Sequence, residues 1–219
     1  MRQYESYRCN KCGNVVEVSN VGGGELHCCS QAMENITDNL TMVNLLKAFA
    51  GESQARNKYE YFAKVAQKEG YRDIAEHFQR AANNEKTHAK LELALHNRMA
   101  TESENNFGNT AENLAEAMAG ESYENITMYP DFAKIAEEEG HKEAARLFSG
   151  IGKIEIEHEN MFKMLLARLD ADAEFVSEDE EEEWICEVCG HVHRGKKALK
   201  VCPVCKHPQE YQSRLNSKK

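Results

Sequence analysis

The sequence predicts a mainly α protein: a four-helix bundle flanked by two small β-rich metal-knuckle modules. Three observations carry this reading. Residues 38–170 repeat themselves at an offset of about 70, and each copy holds two helical patterns. Eight cysteines fall in two sets of four near the chain's ends, with none in the 156 residues between Cys29 and Cys186. Each repeat also carries a Glu-x-x-His pair, Glu85/His88 and Glu155/His158, downstream of an Ala-Gly-Glu-Ser.

The expected organisation is a module over 1–36, a helical domain over 37–172, an acidic linker over 173–183 and a last module over 184–219. Modules this small cannot build a sufficient core alone, so each needs a metal or a partner. In the first, Val15, Val16 and Val18 lie between the cysteine pairs and predict short strands. Gly22-Gly23-Gly24 is followed by neither Gly-Lys-Ser/Thr nor a helical pattern, so it reads as a tight turn rather than a phosphate loop.

In the helical domain, half one reads Ala50-Gly51-Glu52-Ser53, Tyr59, Phe62-Ala63-Lys64, Glu69-Gly70, Phe78 and Glu85-x-x-His88. Half two reads Ala119-Gly120-Glu121-Ser122, Tyr129, Phe132-Ala133-Lys134, Glu139-Gly140, Phe148 and Glu155-x-x-His158. A glycine suited to a helix end divides each half, giving helices over roughly 39–69, 71–99, 110–139 and 141–170. The offset is 69 at Ala-Gly-Glu-Ser and 70 from the tyrosines onward, so half two holds one extra residue between Glu121 and Tyr129. A single insertion within a helix is commonly absorbed as a π-bulge, often at a functional site. Glu124, with no acidic counterpart in half one, lies in that stretch. The connection near 100–109 is short and polar, and the run Glu178–Glu183 reads as a solvated linker or helix end.

The spacing brings ligands level. Glu52 precedes Gly70 by 18 residues, while Glu85 and His88 follow it by 15 and 18. At 1.5 Å per residue these are roughly 22–27 Å from the turn, so antiparallel helices would place all three side by side. Glu121, Glu155 and His158 repeat the arrangement about Gly140. Positions i and i+3 share a helix face, so both members of each pair can point inward. Clustered buried glutamates are costly unless cations neutralise them, and carboxylates with imidazoles suit iron, manganese or zinc. A glutamate from two helices and Glu-x-x-His from two others is the layout of ferritin-like di-metal carboxylate proteins. Tyr59 and Tyr129, about two turns beyond Glu52 and Glu121, are candidates to donate hydrogen bonds to the ligand carboxylates.

Cys186-x-x-Cys189 and Cys202-Pro203-x-Cys205 form a tetrathiolate pattern, and Cys9-x-x-Cys12 with the adjacent pair Cys28-Cys29 forms a second. Thiolate ligation alone does not choose between structural zinc and redox iron.

The formal charge of −10 argues against nucleic acid or an anionic membrane as partner. No apolar run approaches the roughly 18 residues of a membrane span. The first residues lack a signal-peptide shape, so a cytoplasmic location is the expectation. No Gly-x-Gly-x-x-Gly follows a strand, so no nicotinamide or flavin domain is expected.

The central segment Ala48-Phe49-Ala50-Gly51-Glu52-Ser53-Gln54-Ala55-Arg56-Asn57, with Met128-Tyr129-Pro130, closely resembles the rubrerythrins. The ending from Trp184 and Cys186 through Cys202-Pro203-x-Cys205-x-His207-Pro208 resembles their rubredoxin-like domain. The front, through Cys9, Cys12, Gly13, Gly22-Gly23-Gly24, Cys28-Cys29 and Met33, resembles desulforedoxin. Together the resemblance spans nearly the whole chain and is that of a desulforubrerythrin; only the helix 2–3 connection looks short for the family.

The resemblance implies a non-haem di-iron peroxidase that reduces hydrogen peroxide to water in oxidative-stress defence. Its di-iron ligands would be Glu52, Glu85, His88, Glu121, Glu124, Glu155 and His158, with Glu124 and His88 exchanging as the oxidation state changes. Cys9, Cys12, Cys28 and Cys29, and Cys186, Cys189, Cys202 and Cys205, would each hold one iron, with zinc as the other occupant in recombinant protein. A separate NAD(P)H-dependent reductase, or a rubredoxin, would supply electrons to a homodimer or homotetramer. A ferritin-like ferroxidase or iron store is the competing expectation, and the front module suggests superoxide reductase. That last reading lacks the histidine-rich catalytic domain which accompanies such a module elsewhere.

Overall fold

The computed structural model describes residues 1–101, 107–171 and 173–215. The expected polar connection falls mostly on 102–106, and the expected end of the helical domain on Asp172; both lie outside the described residues. The chain forms two compact units, Met1–Phe107 and Gly108–Lys219. Each pairs a long helical hairpin with one cysteine module, so the mainly helical class with small β-rich ends stands.

In the first unit, β1 (Ser6–Arg8) lies between β2 (Val15–Glu17) and β5 (Glu34–Asn35), both antiparallel to it. A second ladder pairs β3 (His27–Cys28) with β4 (Gln31–Ala32). Cys9, Val18 and Met33 are buried, a core of three side chains that cannot sustain a fold without a further cross-link. The buried Glu5 carboxylate accepts from the backbone N–H of Arg2 at 2.6 Å, Arg2 Nε at 2.9 Å and the Tyr7 hydroxyl at 2.9 Å. These donors hold its pKa down at about 2.

Helix α1 (Leu40–Glu69) starts at Asn39, whose side chain accepts from the Met42 N–H, and stops at Gly70, where φ is 91°. Only the left-handed conformation lets the chain reverse there, with the Tyr71 N–H closing onto the Ala66 carbonyl at 2.8 Å. Helix α2 (Arg72–Thr101) returns. Ala63, Ala66, Ala82 and Ala89 are buried along this unit. Small side chains at a seam let two backbones approach closely, holding facing ligands within reach of one metal ion.

The second unit repeats this with one change. Helix α3 (Thr110–Tyr123) begins at a capping box in which Asn109 and Glu112 satisfy each other's backbone N–H groups. A single π-helical turn over Glu124–Met128 follows, then α4 (Tyr129–Glu138). This turn absorbs the extra residue found by comparing the repeats. Gly140, at φ 83°, reverses the chain into α5 (Lys142–Asp170), and Ala133, Ala136, Ala145 and Gly152 are buried.

In the C-terminal module β6 (Glu183–Cys186) lies between β7 (Val192–Arg194) and β8 (Gln212–Arg214). Trp184 is 1% exposed, donates from Nε1 to the Gly195 carbonyl at 2.7 Å and stacks under Arg214. Burying it contributes on the order of 3 kcal/mol. The segment read as an acidic linker is hydrogen-bonded into this module. Ser177 is buried, its N–H donates to the Lys196 carbonyl at 2.8 Å, and Ala198 N–H donates to Phe175 O at 3.0 Å. Composition did not disclose this because the backbone, rather than the charged side chains, makes those bonds. No helix among the described residues is long and apolar enough to cross a membrane.

Candidate metal centres

Gly70 and Gly140 set the register of their hairpins, and that register brings the expected ligands level. His88 Nδ1 lies 2.7 Å from Glu85 and 3.8 Å from Glu52. His158 Nδ1 lies 2.6 Å from Glu155 and 3.6 Å from Glu121. In each trio one donor atom per residue falls within 4.8 Å of the others. In both it is Nδ1 that faces the carboxylates, making it the nitrogen placed to coordinate. Two carboxylate oxygens and an imidazole nitrogen at this spacing fit an ion with ligand bonds of about 2.0–2.2 Å. Six of the seven expected donors therefore gather as two trios, one in each unit.

Glu124 stands outside the second cluster, on the π-turn. Its charge nonetheless reaches the site. Burial, contact with Glu155 and the charges of Glu155 and Glu124 push the Glu121 carboxyl up, against the lowering influence of His158. Burial, then Glu124, Glu155 and Glu121, push the Tyr129 phenol up. A bound cation relieves this mutual repulsion.

Tyr59 and Tyr129 sit beside the trios, but their rings are engaged in aromatic clusters. Tyr59 packs with Phe62 and Phe78, and Tyr129 with Phe148, at centroid distances of 6.2–6.3 Å. Among the described residues neither hydroxyl has a hydrogen bond to a ligand carboxylate.

Three further residues were not found from the sequence. Glu92, one turn beyond His88, is pushed up by burial and by Glu52, and its Oε2 has no hydrogen-bond partner among the described residues. Its repeat counterpart is Phe162, a mismatch that could have flagged it. Gly152 faces Tyr129, and a Cβ built there would come 3.0 Å from the Tyr129 Cβ. Asn125, on the π-turn, donates from Nδ2 to the Glu121 carbonyl at 2.9 Å and to Glu159 at 2.7 Å.

Each set of four cysteines closes on itself. In the first, Cys12 and Cys28 sulfurs are 3.6 Å apart and Cys28 and Cys29 3.9 Å. In the second, Cys186–Cys205 is 3.5 Å and Cys189–Cys202 is 3.7 Å. A tetrahedral ion with metal–sulfur bonds of about 2.3 Å needs sulfurs about 3.8 Å apart, so both sets fit.

The Cys-x-x-Cys loops share one backbone design. Gly13 N–H donates to Cys9 O at 2.8 Å, Gly190 N–H to Cys186 O at 2.8 Å and Lys206 N–H to Cys202 O at 3.0 Å. The residue after each second cysteine has positive φ: 78° at Gly13, 74° at Gly190 and 64° at Lys206. The adjacent pair Cys28-Cys29 solves the same problem with Cys29 and Ser30 both left-handed, at 52° and 62°. Backbone N–H groups aimed at sulfur favour the thiolate. Those of Cys12 and Lys11 bring Cys9 down to about 6, and that of Cys205 leads the same effect on Cys202, also about 6. Cys28 and Cys205 are pushed up to about 12; contacts with other cysteines lead at Cys28, whereas at Cys205 the largest single influence, the His207 backbone bond, lowers the value and is outweighed by burial and the cysteine contacts together.

Comparison with known proteins agrees with this geometry. The rubrerythrin model matches residues 44–166, the desulfoferrodoxin N-terminal domain 1–36 and the rubrerythrin rubredoxin-like domain 184–211. A rubrerythrin of Porphyromonas gingivalis is 47% identical over 183 residues, covering 81% of this chain and 91% of its own. A putative rubrerythrin of Methanocaldococcus jannaschii is 43% identical over 189 residues, covering 78% and 90%. A desulfoferrodoxin of Nitratidesulfovibrio vulgaris is 56% identical over 32 residues, covering 15% of this chain and 25% of its own. The matches cover both hairpins and both cysteine modules; each trio is a Glu/His group of the kind a rubrerythrin di-iron site uses, and the chain belongs to the rubrerythrin family of iron-binding, peroxidase-like oxidoreductases.

Proposed function

We propose that this chain is a hydrogen peroxide reductase of oxidative-stress defence. The observation that carries the reading is the pair of repeat-related trios, Glu52/Glu85/His88 and Glu121/Glu155/His158, in a chain with a four-cysteine site at each end. A di-iron centre of this kind would draw its ligands from such trios, with Glu124 as an additional ligand alternating with His88. The proposed division places the helical domain at 37–172 between the cysteine modules. With iron bound, the centre supplies Lewis acidity and two electrons for H2O2 + 2e⁻ + 2H⁺ → 2H2O, replenished through the cysteine-ligated irons from an external NAD(P)H-dependent reductase or rubredoxin.

The chain's own residues prepare that chemistry. Glu85 and Glu155 face the Nδ1 atoms of His88 and His158 at 2.7 and 2.6 Å, so carboxylates and imidazoles already converge where a metal would sit. Tyr129, with its phenol pushed up, keeps its proton beside the carboxylates. In the C-terminal module the knuckle N–H groups hold the Cys202 sulfur ready as thiolate. The reading expects a cytoplasmic homodimer or homotetramer.

Two variants test the reading. Glu124→Ala keeps its iron but slows peroxide reduction; full turnover counts against ligand exchange. Cys186→Ser abolishes steady-state turnover with an external donor while sparing single-turnover oxidation of the reduced di-iron site. Surviving steady-state activity would remove the relay from the account.

A further inference from the structure

We propose that Asn125 is a positioning residue which, by bridging α3 to Glu159 on α5, holds the π-turn open and sets the place of Glu124; this rests on the peroxidase reading of the same site. The π-turn breaks the regular hydrogen-bond ladder just past Glu121. The Glu124 N–H still reaches back to the carbonyls of Gly120 and Glu121, while the Tyr129 N–H closes the wide turn onto the Glu124 carbonyl. Asn125 covers the opening with its side chain. An amide nitrogen carries two hydrogens. Here it serves two acceptors, the Glu121 carbonyl at 2.9 Å and Glu159 Oε2 at 2.7 Å.

Both ends of this bridge adjoin metal-binding positions. Glu121 is itself in the second trio, and Glu159 follows His158 directly. Asn125 follows Glu124, so fixing its side chain fixes the backbone that carries Glu124. A hydrogen bond to a carboxylate is also stronger than a neutral one.

The repeat supplies an internal control. Asn125 lies where the offset passes from 69 to 70, so it corresponds to Arg56 or Ala55, and Glu159 corresponds to Ala89. Arg56 pairs instead with Glu60 on its own helix, at 3.4 Å. Helix α1 is unbroken from Leu40 to Glu69. The wide turn, the additional glutamate and both members of the bridge occur together in half two and are all missing from half one.

The test is a set of variants read two ways in the full-length protein. In metal-free protein, amide exchange across Glu124–Met128 should quicken about tenfold in Asn125→Ala and Glu159→Ala, the loss expected for one charge-assisted bond. It should quicken less in Glu159→Gln, whose carbonyl still accepts from Asn125 but as a neutral acceptor. In iron-loaded, reduced protein, Asn125→Ala should slow oxidation by peroxide about tenfold in the parent background and cause no further slowing in Glu124→Ala. Unchanged exchange in Asn125→Ala overturns the bridge. Equal slowing in both backgrounds overturns action through Glu124, since a merely structural lesion would persist there. If the parent protein does not react with peroxide at all, the functional reading falls, while the exchange comparison still decides the bridge.

Discussion

Tyr129 begins α4 directly against Gly152 of α5, at a place where a Cβ on Gly152 would stand only 3.0 Å from the Tyr129 Cβ. In half one the equivalent residues are Tyr59 and Ala82, and Ala82 is fully buried. The π-turn therefore coincides with a closer approach of its following tyrosine to the return helix. Gly152→Ala should cost about 1–2 kcal/mol despite the better helix propensity of alanine, because the Tyr129 Cβ is anchored to backbone and cannot swing aside. Gly150→Ala, with nothing within 4 Å of its Cβ, should instead gain up to about 1 kcal/mol. Thermal melts of the two variants decide this; equal shifts would contradict the close approach.

Glu155 is 8% exposed and helps to push the Glu121 carboxyl up. Glu155→Gln removes that repulsion at nearly constant volume. It should raise the melting temperature of chelator-treated protein and lower the stabilisation gained on adding ferrous iron. A variant less stable in both states would mean that Glu155 serves packing rather than metal.

The knuckle residues give opposite expectations at equivalent positions. Gly190→Ala puts a side chain at φ 74° and should cost the C-terminal module about 1–2 kcal/mol. Lys206→Gly relieves φ 64° and should gain less than about 1 kcal/mol. The rate of metal release to a chelator reads both, faster in the first and slower in the second.

Glu5 predicts a pH dependence. Its folded pKa of about 2 lies below the ordinary 4.5, so its stabilising contribution is present above the ordinary value and fades as pH falls from there toward 2. The stability difference between the parent and Glu5→Gln should therefore shrink over that window. A difference that stayed constant would show that the Arg2 and Tyr7 contacts do not depend on the carboxylate charge.

The trios were legible in the sequence because helical geometry converts spacing into height. Eighteen residues on either side of Gly70 put Glu52 and His88 level, and their side chains meet at 3.8 Å. The π-turn was legible for a related reason, as an integer mismatch between the repeats. Asn125, Gly152 and Glu92 were not, since their roles depend on what faces them across the hairpin. Segment 173–183 reads from composition as solvated through the run Glu178–Glu183, and its attachment combines backbone bonds at Phe175 and Ser177 with ion pairs from Glu180 to Lys196 and Glu183 to Arg194, partners that composition does not name.

The most direct measurement is anaerobic stopped-flow mixing of the reduced, iron-loaded protein with substoichiometric hydrogen peroxide, followed by visible absorbance of the cysteine-ligated iron centres. The account predicts rapid return of oxidised absorbance at those centres, faster with peroxide than with dioxygen. Slow or absent reoxidation by peroxide would contradict it and favour an iron-handling role.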